Sequence, residues 1–83
     1  MTPKQRKAHV ADIQTFLESK GYEADRFGHY KKTTEKDHVL RYKFGKVALR
    51  YEVKDARGSW LRIASGPVSR VEVTPDGLKG LKR

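Results

Sequence analysis

The stretch "HVLRYKFGKVALRYEVK", residues 38–54, decides the fold. On either side of Gly45-Lys46 it alternates apolar and polar residues, the period of a strand with one buried face. Gly45-Lys46 reads as a two-residue hairpin turn with glycine at its first position, as a type II′ turn demands. That turn sets Phe44 opposite Val47, Tyr42 opposite Leu49, Leu40 opposite Tyr51 and His38 opposite Val53, all on one face. The pattern pins the faces, because a slip of one residue moves every apolar side chain into water.

Toward the C-terminus the same alternation continues over residues 60–65 and 69–74. A five-residue loop at "DARGS" sets Val53 opposite Leu61 and Tyr51 opposite Ile63. A loop at Gly66-Pro67-Val68 then brings Ile63 opposite Val71 and Leu61 opposite Val73. Leu78 and Leu81 give the closing segment "TPDGLKGLKR" two anchors for a short basic tail. Toward the N-terminus, residues 22–30 read as a weaker strand with a bulge at Gly28, and "KKTTEKD" as a polar loop.

Residues 2–20 carry helix punctuation. Thr2 suits the N-cap, Pro3 the first helical position, and Gln5 completes a Thr-x-x-Gln capping box. Val10, Ile13, Phe16 and Leu17 form one apolar stripe, and Gly21 ends the helix with Tyr22 as the residue that packs back on Leu17. The expected architecture is α+β, a single domain over 1–83. It places an N-terminal amphipathic helix on a four- or five-stranded antiparallel meander sheet, with a short basic C-terminal tail.

Composition bounds the partners. The chain has 83 residues, 35% of them charged, and a formal net charge of +9. A chain of this size buries only about 60% of its unfolded surface, so its core is small. A charge excess of that size points to nucleic acid, acidic lipid or an acidic protein. Without cysteine, disulfides and thiolate metal sites are excluded. No apolar run follows the basic N-terminus, so a cytoplasmic protein that does not use a membrane is the expectation. His9, His29 and His38 share no metal-ligand spacing, and no glycine-rich phosphate loop is present, so neither metal nor cofactor is expected.

In these registers the polar face of the sheet resolves into rows. Asp37, Lys54, Trp60 and Thr74 form one; Val39, Glu52, Arg62 and Glu72 form an alternating charge ladder. The third holds Arg41, Arg50, Ala64 and Arg70, with Lys43 one row further. Like charges directly opposite destabilise a sheet, so an arginine row makes sense around an anion, whose oxygens match the guanidinium fork. Arg41, Lys43, Arg50, Arg62 and Arg70 are thus candidate phosphate contacts and Trp60 a stacking group.

Two further clusters are candidate secondary contacts. Lys4, Arg6 and Lys7 crowd the first turns of the helix, where the macrodipole disfavours cations by about 0.3–1 kcal/mol each. "RFGHYKK" interleaves Phe27, His29 and Tyr30 with Arg26, Lys31 and Lys32, a pattern that can stack and clamp a single strand, with His29, Tyr30, Lys31 and Lys32 as the candidate contacts.

Asp37 followed fifteen positions later by Glu52-Val53-Lys54 resembles the PD-(D/E)xK nuclease motif. The resemblance implies that Asp37 and Glu52 hold a metal and Lys54 activates water. Lys36 stands where that family has proline, residues 60–74 read as strands where it has a helix, and Arg62 already neutralises Glu52. The reading adopted is a non-catalytic DNA- or RNA-binding protein. The alternative is a protein-interaction module that docks on an acidic surface of a larger enzyme.

Overall fold

The computed structural model describes residues 2–83; Met1 lies outside the described residues. One helix packs on a five-stranded antiparallel sheet, an α+β fold. Helix α1 spans Pro3–Ser19. The Gln5 N–H donates to Thr2 Oγ1 at 3.2 Å and the Thr2 N–H donates to Gln5 Oε1 at 3.0 Å, so the capping box closes both ways. At the far end the N–H groups of Gly21 and Tyr22 bond the carbonyls of Glu18 and Leu17, the paired bonds of a Schellman cap.

The sheet is a meander of β1 (Glu23–Ala24), β2 (Tyr30–Thr33), β3 (Val39–Phe44), β4 (Ala48–Lys54) and β5 (Trp60–Pro67). Three of its four turns share one design. Residues 25–29, 34–38 and 55–59 each open with a side-chain oxygen that accepts N–H bonds from within the turn: Asp25, Thr34 and Asp55. Each puts its fourth residue at positive φ: Gly28 at 80°, Asp37 at 61° and Gly58 at 84°. This is a hairpin loop with one left-handed residue, here braced by the opening side chain. It corrects the expected single strand over 22–30, because Asp25 and Gly28 reverse the chain there. His38 leaves the apolar face in the same way: its N–H bonds Thr34 Oγ1 and its side chain is exposed in the turn.

The β3–β4 hairpin is longer than a Gly45-Lys46 turn allows. Gly45 faces Ala48 through an N–H to carbonyl bond of 2.9 Å, so Phe44 pairs with Leu49, Tyr42 with Tyr51 and Leu40 with Val53. The register slips by two residues, which preserves both faces and changes every neighbour. Tertiary contacts fix the tip. The Arg6 guanidinium donates to the carbonyls of Gly45 and Lys46, and the Val68 N–H donates to that of Val47 at 2.8 Å.

Between β4 and β5 the expected pairs Val53–Leu61, Glu52–Arg62 and Lys54–Trp60 form. A bulge follows between Tyr51 and Glu52, leaving Ile63 over and setting Tyr51 opposite Ala64 and Arg50 opposite Ser65. The expected strand over 69–74 does not extend this sheet. β5 continues to Pro67, Val68–Arg70 forms a 3-10 turn, and β6 (Glu72–Thr74) pairs only with β7 (Gly77–Lys79). Val68 and Val71 explain the difference. They stand three residues apart and are both fully buried, a spacing that a helical turn satisfies and strand alternation does not.

The core joins Ile13 and Leu17 of α1, Tyr30 and Leu49 of the sheet, and Val68 and Val71. The helix therefore shares the inner face with the C-terminal chain, against which it packs directly. Tyr22, Leu78 and Leu81 pack around this core as expected. A β-bridge between Ser65 and Lys82, bonded in both directions at 2.8 Å, lays the last residues along the free edge of β5. Among the described residues no helix is long and apolar enough to cross a membrane.

Candidate nucleic-acid interface

The outer face of the sheet, away from α1, collects most of the candidate residues. Its central row is Glu23, Lys31, Arg41, Glu52 and Arg62, each opposite the next on the adjacent strand. The two-residue slip thus moves Arg41 away from Arg50 and onto Glu52. Arg41 Nη2 and Nε both donate to Glu52 Oε1, at 2.7 and 3.0 Å. Glu52 is 5% exposed, the one buried carboxylate of the described chain.

Arg41 is also stacked. Its guanidinium carbon lies 3.9 Å from the centroid of the Trp60 ring, and the Lys31 and Lys54 ammonium groups each stand 5.9 Å from it. Trp60, expected as a free stacking group, is half-buried in a cage of cations. Arg41, expected as a free phosphate contact, is held on both sides. Asp25, at the edge, pairs with Lys31 at 3.4 Å. Burial pushes the Asp25 carboxyl up, but the N–H groups of His29 and Phe27 and the Lys31 ammonium outweigh it and hold it below the usual carboxylate range.

The next row differs in kind. Lys43 faces Arg50, Arg50 faces Ser65, and Ser65 bridges Lys82. Side chains directly opposite in a sheet share a face, so the row crosses four segments of the chain and contains cations without a carboxylate. At about 4.8 Å per strand it extends roughly 14 Å. The like-charged pair expected of Arg41 and Arg50 is thus built from Lys43 and Arg50. Gly45, Ala48 and Pro67 form the row beyond, a shelf of small side chains beside the cations.

His29 closes the Lys43 end of that row. Its Nδ1 accepts the Phe44 N–H at 3.2 Å, which requires the neutral ring with its proton on Nε2. Burial lowers the His29 pKa; Arg41 and Lys43 lower it further, while Asp25 and Glu52 oppose them.

The remaining candidates lie elsewhere. Arg70 sits exposed on the 3-10 turn that packs against α1, so the structure does not bring it to the sheet face. Arg6 is engaged with the β3–β4 turn, while Lys4 and Lys7 are exposed on the first turns of α1. Tyr30 is a core residue whose hydroxyl donates to Glu18 Oε1 at 3.0 Å. Lys32 projects to the inner face, donating to the Lys20 carbonyl at 2.8 Å and standing 5.7 Å over the Tyr22 ring. Of the nuclease-like residues, Asp37 lies in a turn and Glu52 is committed to Arg41. Among the described residues no three His, Asp or Glu side chains are placed to hold a metal ion.

No family model matches the chain, and neither the curated proteins nor the solved structures compared with it give a match.

Sequence reasoning missed Lys82, which reaches the row only through the Ser65 bridge. Two glycines make that bridge. A Cβ on Gly66 would stand 2.3 Å from the Gly80 carbonyl oxygen, and one on Gly80 would stand 2.3 Å from that of Arg70. The "GLKG" of the tail was the available signal, since Gly80 also needs a φ of 100°.

Proposed function

We propose that this chain is a nucleic-acid-binding protein that holds the phosphate backbone of DNA or RNA on the outer sheet face. One observation carries the reading: Lys43 directly opposite Arg50, in a row that continues to Lys82 with no carboxylate. Such an arrangement destabilises the free protein, and a chain of phosphates relieves it. The caged Trp60 and the Arg41–Glu52 pair support this row by stiffening the strands beneath it, and the net charge of +9 supplies long-range attraction.

The test is fluorescence anisotropy of labelled DNA and RNA oligonucleotides across a salt series. The expected result is affinity that falls steeply with salt. Replacing Lys43, Arg50 and Lys82 together by alanine should cut the affinity and flatten the log–log salt slope by about 2–3, near 0.7–0.9 for each lost phosphate contact. Arg70→Ala, on the helix side, should leave both unchanged. Undiminished binding by the triple variant refutes this surface. Absence of binding at low salt refutes the nucleic-acid reading and turns the same cations toward an acidic protein partner.

A further inference from the structure

The β1–β2 turn holds an aromatic ring in water for which the fold has no use. Phe27 is 68% exposed. The turn is fixed, since Asp25 Oδ1 accepts the N–H groups of Phe27 and His29 at 2.8 and 3.0 Å. Comparison with the two sister turns isolates the anomaly. The third residue of that design is Lys36 in one and Arg57 in the other, both exposed and polar as a loop tip should be. At the corresponding place in the first turn stands Phe27. The turn geometry therefore does not call for an apolar residue there.

Its position suggests the use. Two residues further on, His29 ties this turn to the Phe44 N–H, next to Lys43 at the start of the cationic row. The Arg26 guanidinium lies 4.9 Å from the Phe27 ring centroid, backing the ring with a cation. A phosphate chain gains nothing from such a ring, and the bases of a duplex are already stacked on each other. An unpaired base gains a stacking surface, and an aromatic face accepts any base. We propose that the cationic row takes single-stranded nucleic acid, and that Phe27, backed by Arg26, is the platform on which an unpaired base stacks at the Lys43 end. This rests on the phosphate-binding reading above and adds to it the ligand's strandedness and a specific base contact.

The experiment compares three labelled ligands of equal length by anisotropy: oligodeoxythymidine, an abasic oligomer with the same phosphates, and a duplex. The intact protein should prefer oligodeoxythymidine to both others. Phe27→Ala should weaken oligodeoxythymidine binding by roughly 5- to 150-fold, the range for one lost base stack, and leave the abasic oligomer unaffected. Phe27→Trp should retain the affinity for oligodeoxythymidine. Equal affinity of Phe27→Ala and the parent protein for oligodeoxythymidine overturns the proposal, as does a preference for duplex or parity with the abasic oligomer. The Lys43, Arg50 and Lys82 triple variant separates the two claims. If it abolishes binding while Phe27→Ala is silent, the phosphate row stands and the stacking platform falls. If it is silent, both fall.

Discussion

Glu52→Gln offers the most direct check on how the outer face is built. The substitution keeps the shape of the side chain and removes its charge, leaving Arg41 in place at 14% side-chain exposure. Removing one member of a fully buried ion pair costs about 3–5 kcal/mol, because the other charge stays desolvated. Arg41 retains the Trp60 ring at 3.9 Å and some solvent, which lowers the penalty. The amide oxygen still accepts from Arg41, so the two bonds lose their charge assistance while the guanidinium stays desolvated, which gives a destabilisation of about 2–3 kcal/mol. In a domain of this size that lowers Tm by roughly 10–20 °C. Thermal and urea unfolding followed by circular dichroism would measure it. The paired change Arg41→Met with Glu52→Leu should recover most of the loss, since apolar isosteres carry no desolvation cost. Nucleic-acid affinity should move the other way and rise in Glu52→Gln, because a carboxylate disappears beside the cations. A change in stability below about 0.5 kcal/mol refutes the reasoning. So does a gain, which is what a strained functional carboxylate commonly yields when neutralised.

Three further outcomes follow from particular residues. His29 has a folded pKa below its ordinary value of about 6.5. Its contribution to stability is therefore present above that pH and lost as pH falls toward the lowered folded value. Urea titrations between pH 7.5 and 5 should show the loss, and His29→Asn, which keeps an acceptor for the Phe44 N–H, should flatten it; an unaltered pH slope in the variant contradicts this. Burial and the neighbouring Tyr51 push the Tyr42 hydroxyl up to about 12. Stability should hold up to the ordinary tyrosine value near 10 and decline from there toward 12, and ultraviolet titration of Tyr42→Phe should lack one late-ionising phenol. Gly80→Ala drives a Cβ toward the Arg70 carbonyl oxygen and forces a side chain into positive φ. It should cost about 3 kcal/mol and release Lys82 from the row, read as weaker nucleic-acid binding; unchanged unfolding midpoints refute the close approach.

The legible part of the fold was local. Thr2, Pro3 and Gln5 define the start of α1 and Gly21 its end through bonds between near neighbours, and those bonds are the ones observed. The two faces of β3 and β4 followed from alternation, which survives a register slip of two residues. Sequence patterning could not see that slip, because both registers keep the same residues on each face of the paired strands; the difference falls at the tip, where Val47, expected opposite Phe44, is left in the turn and exposed. What selects between them is the Arg6 guanidinium and the Val68 N–H at the hairpin tip, from segments far away in sequence. The slip decided the candidate site: it paired Arg41 with Glu52 and Lys43 with Arg50, where alternation alone had set Arg41 against Arg50.

Likewise, the valines at 68 and 71 read as strand residues by type and as a turn by spacing, and only the space beside α1 settled the conflict. By itself the sequence determined the helix, the strand faces, the surplus of positive charge and the side of the sheet that carries most of it. These depend on periodicity and capping, which are short-range. Tertiary structure alone decided which cation stands beside which, that Trp60 is caged, that Arg70 lies on the helix side and that Lys82 completes the row. Those depend on registers and close approaches between distant segments. There, a displacement of one residue pair changes a charge's partner without changing how much apolar surface is buried.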